Sequence, residues 1–255
     1  MTKNTKSGII KYIMLHLELL MIKKLSKWLS ANQHAYLLFY FIFYLVAFFL
    51  LEHFERPYHL VHCFLDDFIP FNEYFVIPYF LWFLCLPLSL IGFMIYDKET
   101  FLNLCLMMFG GMTFCLITYA IIPNGLDIRG EIEGKNLFCQ ITRWLYSFDT
   151  PTNVCPSIHV ASSLSIAFAV WKSQKLKAYL KFRYGTIALM ILICISTLFI
   201  KQHSVIDVFC AILLSFFLYH VAYYTDWKSV VAKTKLYLLW EQRELRLGDD
   251  QKWEN

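Results

Sequence analysis

The chain has 255 residues, of which 58% are hydrophobic, 18% aromatic and only 16% charged, and its mean hydropathy is +0.51. A soluble domain has about a quarter charged residues, so this composition excludes a soluble globular class and indicates an integral membrane protein. The net charge of +4 comes from lysines and arginines clustered outside the apolar segments. It is therefore a signal of membrane topology, and no nucleic-acid partner is expected.

Residues 1–35 are predicted to be an amphipathic segment on the cytoplasmic surface of the membrane, with a helix over residues 9–29. Within them, the segment 9–29 has a short apolar core that contains His16 and Glu18 and is followed by three lysines. A secretory signal peptide would instead begin with positive charge and end in a cleavage site of small residues.

Six apolar segments follow, and a transmembrane helix needs about 20 mostly apolar residues. The segment 157–171 is the shortest and carries four serines, which are common packing residues where membrane helices face one another. Segments predicted as loops, 142–156 and 172–183, bracket it. We predict an all-α polytopic membrane protein with six transmembrane helices in one domain, residues 36–224, followed by a charged cytoplasmic tail, residues 225–255. The other five segments are 36–51, 74–96, 101–122, 184–200 and 205–224.

Lysines and arginines are distributed unevenly between the two sides that six helices create. Eighteen lie in the N-terminal segment, the loops near 97–100 and 172–183, and the C-terminal tail, whereas five lie on the opposite side. Positive charge is retained on the cytoplasmic side of membrane proteins. Both termini are therefore predicted to be cytoplasmic, and segments 52–73, 123–156 and 201–204 to face the extracellular, periplasmic or luminal side.

Four polar residues fall at helix ends on this outward side: Arg129, His159, His203 and Asp207. His203 and Asp207 are four residues apart, a spacing that places two side chains on one helical face. A carboxylate there can fix the tautomer of the imidazole and leave its other nitrogen free as a nucleophile. Ionisable residues in membrane segments are usually functional. The alternative is a polar pair that satisfies itself within a helix interface.

His159 stands at the start of the segment 157–171, directly after Pro156 and Ser157. The first N–H groups of a helix form an anion site, so the backbone at Ile158 and His159 is expected to bind an anion. Ser157 adds a hydroxyl as a cap or as a ligand. The imidazole of His159 would protonate a leaving oxygen, and the alternative is an ordinary capped helix.

Arg129 and Lys201 are the cationic candidates. An arginine fork suits the paired oxygens of a phosphate, although a lone arginine in a loop is more often a solvated charge. Lys201 alone is equally compatible with extension to the membrane interface. Together, a nucleophile with its carboxylate, an acid and several anion-binding groups describe phosphoryl transfer through a phosphohistidine. A zinc site from both histidines and Asp207 is the alternative, which the neighbouring cations disfavour.

These residues resemble the signature of the type 2 phosphatidic acid phosphatase superfamily, which also contains sphingomyelin and inositol phosphorylceramide synthases. The three motifs of that family stand here as Arg129, as PSIH over 156–159, and as STLFIKQHSVID over 196–207. The resemblance covers roughly residues 101–224. It implies an enzyme that acts on lipid phosphate esters at the outer face of the membrane and that needs no metal or other cofactor.

The same resemblance implies the roles of the individual residues. His203 would be the nucleophile, Asp207 its partner, and His159 the acid that protonates the leaving alcohol. The phosphate would be held by Arg129, Ser157, the backbone at Ile158, and Lys201.

The chain departs from the pattern of this family at its cationic positions. Ile122 stands where the first motif usually has a lysine, and Gly130 stands where it usually has a proline. Thr197 replaces an arginine of the last motif, so two phosphate-binding cations are missing, and Lys201 is expected to compensate for one. The stretch KQHSVID is more similar to that of the lipid phosphotransferases than to that of a typical phosphatase.

The leading expectation is a lipid phosphate phosphatase that hydrolyses a phosphatidate-like phosphomonoester through a phosphohistidine. The first alternative is a phosphotransferase that passes a phosphorylated head group to a lipid alcohol, and the second is a non-catalytic protein that binds or transports lipid phosphate. The expected partners are a membrane lipid and the bilayer. The acidic residues of the outer segment, Asp66, Asp67 and Glu73, are expected to be solvated rather than to bind an acceptor. The spacing of Cys139 and Cys155 leaves open whether they pair.

Overall fold

The structure is a computed structural model that describes residues 16, 20–24, 26–53 and 56–232, without the side chains of residues 228, 231 and 232. This part of the chain is mostly helical, as predicted. Two 3-10 helices, Gln33–Phe39 and Glu73–Phe75, lead into α1 and α3, and strands β1 (His59–Leu60) and β2 (Asn124–Gly125) pair in parallel. The α-helices are α1 (Tyr40–His53), α2 (Phe64–Phe68), α3 (Val76–Tyr96), α4 (Lys98–Ile121), α5 (Leu137–Phe148), α6 (Ile158–Lys172), α7 (Leu180–Phe199), α8 (Val205–Tyr224) and α9 (Trp227–Ala232).

Five helical stretches of the described residues are long and apolar enough to cross a membrane, and they match the five longer segments predicted from hydropathy. Helix α6 is also apolar but has only 15 residues. That is about 22 Å of helix, which is less than the ~30 Å hydrocarbon core, so a sixth span stays a prediction. The five stretches are Gln33–His53, Glu73–Tyr96, Lys98–Ile121, Leu180–Phe199 and Val205–Tyr224.

Helix α6 lies at the centre of the bundle, in contact with α3, α4, α7 and α8. Its serines are buried rather than facing lipid, and two of them are hydrogen-bonded. Ser162 Oγ accepts a hydrogen bond from Trp82 Nε1 at 2.7 Å, and Ser165 Oγ donates to the carbonyl oxygen of Ala161 at 2.8 Å. Enclosure by other helices therefore explains why this segment tolerates four serines.

Part of the segment predicted as a loop is helical, so that prediction is wrong over residues 142–148. Helix α5 begins after Asn136, whose side chain accepts a hydrogen bond from the N–H of Cys139 at 2.9 Å. Cys139, Thr142 and Leu145 are buried at a three-residue spacing, which places them on one face of the helix. Cys139 and Cys155 are both free thiols in the structure.

The predicted surface helices at the two ends of the chain are only partly described. Residues 20–24 and 26–31 are helical, but their amphipathic character stays a prediction. In the C-terminal tail, α9 is helical as far as residue 232. The remainder of the predicted N-terminal helix and of the tail lies outside the described residues.

Candidate functional site

His203 and Asp207 form a buried pair at the start of α8. Nδ1 of His203 lies 3.2 Å from Oδ2 of Asp207, and the two residues are 6% and 0% exposed. The pair forms in a different way from the one predicted, because α8 begins at Val205 with Ser204 as its N-cap, and His203 precedes the helix. Asp207 instead reaches back across the helix start, where its Oδ2 also accepts a hydrogen bond from the N–H of Ser204 at 2.8 Å. Capping of α8 thus fixes the carboxylate beside the imidazole.

His159, the second residue of α6, brings a second imidazole to the same place. Its Nδ1 lies 3.4 Å from Nε2 of His203, although the two residues are 44 positions apart in the chain. The ring of His159 packs against Trp82 and Tyr79 of α3, at centroid distances of 4.3 and 4.6 Å. Its Nε2 is buried and has no hydrogen-bond partner among the described residues.

These contacts determine which nitrogen of each ring carries a proton. A carboxylate only accepts hydrogen bonds, so Nδ1 of His203 donates to Asp207 and Nε2 of His203 carries a lone pair. The facing Nδ1 of His159 is then the donor, because two lone pairs would repel each other. The site therefore combines a nucleophilic nitrogen on His203 with a proton on His159, 3.4 Å apart.

Asp66 of α2 accepts hydrogen bonds from residues at the start of α8. It is 2% exposed, and its carboxylate accepts hydrogen bonds from Ser204 Oγ at 2.6 Å and from the N–H of Val205 at 2.8 Å. Burial alone raises the pKa of Asp66, but these hydrogen bonds hold the pKa below its usual value. The prediction of a solvated side chain is therefore wrong for Asp66, whereas Asp67 is exposed and pairs with His62 at 2.9 Å.

Lys201 does not line the cavity that contains the two histidines. Its Nζ donates hydrogen bonds to the carbonyl oxygens of Asp66 at 2.8 Å and Ile69 at 2.5 Å. Its φ of 54° lies in the left-handed region, at the turn between α7 and α8. The ammonium of Lys201 thus satisfies two backbone carbonyl oxygens, and its role in phosphate binding stays a prediction.

Arg129 is also directed at protein oxygens. Nη1 donates to the carbonyl oxygen of Asp149 at 2.6 Å, while Nη2 donates to that of Thr150 at 3.4 Å and to Oε1 of Gln202. The guanidinium carbon lies 4.5 Å from the centre of the Tyr146 ring. Burial lowers the pKa of Arg129, and the nearby Asp149 opposes this effect. Arg129 thus lies beside the site, and its contact with a phosphate stays a prediction.

Ser157 and Ile158 lie at the start of α6, as predicted. Ser157 is the N-cap, and its Oγ accepts a hydrogen bond from the N–H of Val160 at 3.3 Å. The N–H of Ser157 donates to the carbonyl oxygen of Asp207 at 3.2 Å, which joins the starts of α6 and α8. Ile158 lines the cavity. The N–H groups of Ile158 and His159 belong to the first helical turn, where no intrahelical carbonyl is available.

Asn124 holds the loop that precedes α6. Its Oδ1 accepts hydrogen bonds from the N–H groups of Val154 at 2.9 Å and Cys155 at 2.8 Å. The next residue, Gly125, pairs in β2, and a Cβ there would lie 2.7 Å from the ring of Tyr58, so only glycine fits. The contact between Asn124 and Val154 spans 30 residues of the chain.

A cavity of about 340 Å³ opens at the two histidines. His159, His203, Gln202 and Asp149 form part of its polar wall, and no Lys or Arg of the described chain lines it. Tyr79 OH donates to Oδ2 of Asp149 at 2.9 Å, and burial raises the pKa of Asp149. The apolar walls come mainly from two helices, through Phe41, Tyr44 and Phe48 of α1 and Trp82, Phe83 and Leu86 of α3.

Sequence reasoning missed three polar residues around this cavity, namely Gln202, Asp149 and Glu52. Glu52 of α1 accepts hydrogen bonds from Thr150, from Thr152 at 3.2 Å and from Asn153 Nδ2 at 3.2 Å, which ties the loop before α6 to α1. Each missed residue is an isolated polar side chain at the edge of an apolar segment, so no motif marks it. Only the position of Gln202 directly before His203 offered a signal.

The described residues contain no group of three or more His, Cys, Asp or Glu side chains arranged to hold a metal ion. The histidines make nitrogen contacts with each other and with Asp207 instead of converging on a common point. The zinc alternative therefore has no ligand set in the described part of the chain.

The part of the chain that contains the site residues is similar to a known protein family. The family model described as PAP2 superfamily matches residues 129–230, a range that contains Arg129, His159, His203 and Asp207. No curated protein and no solved structure gave a significant match. The family match confirms the resemblance predicted from the three motifs. Residues 129–230 of this chain are therefore similar to the PAP2 superfamily.

Proposed function

We propose that the protein is a membrane enzyme that cleaves lipid phosphate esters, acting in the leading case as a phosphatase with water as the acceptor. One observation carries the proposal: Nε2 of His203 and Nδ1 of His159 lie 3.4 Å apart at the polar wall of a cavity whose other walls are largely aromatic and aliphatic. A lipid phosphate has the same division between a polar phosphate and an apolar tail.

In the first half-reaction, Nε2 of His203 attacks phosphorus, and a P–N bond forms as the P–O bond to the lipid alcohol breaks. His159 acts here as its imidazolium, which gives the Nδ1 proton to the leaving oxygen and becomes neutral imidazole. Asp207 remains hydrogen-bonded to Nδ1 of His203 and offsets the positive charge that develops on the ring. The products are a phosphohistidine and the free lipid alcohol.

In the second half-reaction, water attacks the phosphohistidine. His159, now without its Nδ1 proton, accepts a proton from this water. The P–N bond breaks, its electron pair returns to His203, and phosphate is released. The N–H groups at the start of α6 would stabilise charge on the phosphate oxygens that do not react.

A lipid phosphotransferase is the second candidate, and the charge of the cavity favours it. Arg129 and Lys201 donate to protein oxygens, and no Lys or Arg of the described residues lines the cavity, whereas the carboxyl group of Asp149 does. A phosphomonoester approaches two negative charges near neutral pH, but a phosphodiester carries one and is accommodated more easily. In this case the phosphorylated head group passes from His203 to a lipid alcohol in place of water.

We further propose that the site faces the extracellular, periplasmic or luminal side. Its residues lie where α4 and α7 end and where α6 and α8 begin. The lysine-rich and arginine-rich segments of the sequence connect the opposite ends of these helices, and such segments are retained in the cytoplasm.

The experiment is a panel of short-chain lipid phosphates incubated with the purified protein in detergent micelles, with and without alcohol acceptors, and analysed by mass spectrometry. Release of inorganic phosphate from a phosphatidate supports the phosphatase, and transfer of a head group to an alcohol supports the phosphotransferase. If neither product forms while a His203→Ala variant binds lipid phosphate normally, the protein is a binding protein and the enzymatic proposal is wrong.

A further inference from the structure

Gln202, a residue of the cavity wall, has an unused hydrogen-bond donor. The residue directly precedes His203, is 3% exposed and lines the cavity. Its Nε2 is buried and has no hydrogen-bond partner among the described residues. An unpaired buried donor is unfavourable, so a donor of this kind beside a nucleophile is typical of a group that binds a ligand.

The orientation of the Gln202 amide follows from its neighbours. Its oxygen, Oε1, accepts a hydrogen bond from Nη2 of Arg129. A guanidinium can only donate, so the oxygen of the amide faces Arg129 and the NH2 group is turned away from it. Arg129 is itself fixed by the carbonyl oxygens of Asp149 and Thr150, and the N–H of Gln202 donates to the carbonyl oxygen of Thr197 at 2.9 Å. The direction of the free donor is therefore set by a buried network.

We propose that Nε2 of Gln202 is a direct ligand of the phosphate group, donating a neutral hydrogen bond to an oxygen that does not react. Arg129 is then a positioning residue that acts through Gln202 instead of touching the phosphate. This inference rests on the proposed function, since it names a binding residue of the same site. It also explains how a cavity that no Lys or Arg of the described residues lines holds an anion beside Asp149.

Gln202 could instead have only a structural role, as an acceptor for Arg129. The substitution Gln202→Glu distinguishes the two roles, because they lead to opposite expectations for phosphate binding. In Gln202→Glu, a carboxylate oxygen still accepts from Arg129 and gains a charge-assisted hydrogen bond. The NH2 donor, however, becomes a second oxygen that repels phosphate. The Gln202→Glu variant should therefore be at least as stable as the parent whether Gln202 is a ligand or only a structural residue. It should lose phosphate binding only if Gln202 is a ligand.

The test measures binding separately from turnover. Binding of a short-chain phosphatidate to the full-length protein in detergent micelles is followed by isothermal titration calorimetry, with His203→Ala as the parent background. We expect Gln202→Glu to weaken binding by about 10-fold to 100-fold, as loss of a hydrogen bond to a charged group does. Gln140→Glu is the matched control, because it adds the same charge at an exposed residue of α5, and its binding should equal that of the parent.

Gln202→Met, which keeps the length of the side chain and lacks the donor, is the second variant and should bind about 10-fold more weakly. Binding by Gln202→Glu or Gln202→Met as tight as that of the parent would overturn this inference alone. Lack of phosphatidate binding in the parent, together with neither phosphate release nor head-group transfer by the wild type, would overturn both this inference and the proposed function.

Discussion

His203 and His159 have different partners, and this difference suggests their roles. His203 contacts a buried carboxylate through Nδ1, which suits an imidazole that gains positive charge during attack. His159 instead packs between aromatic rings of α3 and has no acidic partner among the described residues. Such surroundings disfavour a lasting charge and suit a residue that gives up a proton and takes one back.

The first prediction concerns the leaving group. His159→Ala should slow cleavage of alkyl phosphate esters by about 100-fold to 10,000-fold, because an alkoxide leaves poorly without a proton. Cleavage of nitrophenyl esters should fall much less, since nitrophenolate is a good leaving group. Rates with the two ester classes are compared for the wild type and the variant. His220→Ala, an exposed histidine on α8, is the control. Equal losses with both classes would count against His159 as the acid.

The second prediction concerns the carboxyl of Asp149 in the cavity wall. Asp149→Asn keeps an acceptor for Tyr79 but removes a negative charge, so KM for anionic lipids should fall by about threefold to tenfold. Burial raises the pKa of Asp149. The gain should therefore be present above that pKa and vanish as the pH falls through it, because the wild-type carboxyl then becomes neutral.

Kinetics over a pH range, with Asp127→Asn as the exposed control, measure this effect. An unchanged or raised KM at high pH would show that Asp149 does not oppose anion binding.

Among single residues, the sequence predicted the site residues that belong to motifs. It missed those whose role depends on a contact with a residue far away in the chain. His159, His203 and Asp207 have fixed spacings that indicate a site. Asp66 and Asp149 look like any acidic residue of a polar segment, and nothing local shows that Asp66 meets the start of α8 across 138 positions. Burial of a carboxylate depends on such long-range contacts, which residue type alone does not predict.

At the scale of elements, the start of α8 is the best-supported structure of the site. Ser204 caps the helix, Asp207 closes the capping box, and Asp66 accepts from the next free N–H group. Two carboxylates at a helix N-terminus are favourable because of the helix dipole. This arrangement holds His203 just outside the helix, where Nε2 is directed at His159.

The third prediction tests this role of Asp66. Asp66→Ala should lower the free energy of unfolding by about 1–3 kcal/mol, since it removes charged hydrogen bonds, and it should also reduce turnover. The folded-state pKa of Asp66 is lowered, so its stabilising effect is present above the unfolded value of about 3.9. The effect is lost as the pH falls through the lower folded value.

Thermal melting in detergent at several pH values measures this contribution. The exposed Asp67→Ala variant is the control and should change stability by less than about 1 kcal/mol. Equal melting temperatures for the two variants at neutral pH would contradict the role of Asp66.

The long helices followed from hydropathy, because about 20 apolar residues in lipid leave few conformations other than a helix. Their observed bounds agree with the predicted ones to within a few residues. Helix α5 was missed, since its buried face consists of only three residues among charged and aromatic neighbours. The capping of α8 was also missed. The spacing of His203 and Asp207 therefore predicted the correct pair, but as neighbours on one helical face, whereas His203 precedes the helix.

At the scale of the whole molecule, the site and the apolar cavity lie at one end of the bundle. Hydrogen bonds hold the segments at this end of the bundle together. Asp66, Glu52 and Asn124 each make several of them. The apolar walls from α1 and α3 offer space for a lipid tail next to the histidines.

The fourth prediction concerns orientation. In a cysteine-free background, Lys135→Cys should react with a membrane-impermeant maleimide added outside intact cells, or to the luminal side of sealed vesicles. Lys181→Cys, an exposed residue that directly follows the first residue of α7, should react only after the membrane is opened. The reverse pattern would contradict the proposed sidedness.

The most direct test of the account is to trap the bond between His203 and phosphorus. The purified protein is mixed with a phosphorus-labelled short-chain lipid phosphate, quenched in alkaline denaturant, which preserves phosphohistidine, and analysed by peptide mass spectrometry. We expect label on His203 in the wild type and none in His203→Ala, whose turnover should fall about a thousandfold or more. Substrate turnover without labelled protein, or with label only on another residue, would contradict it.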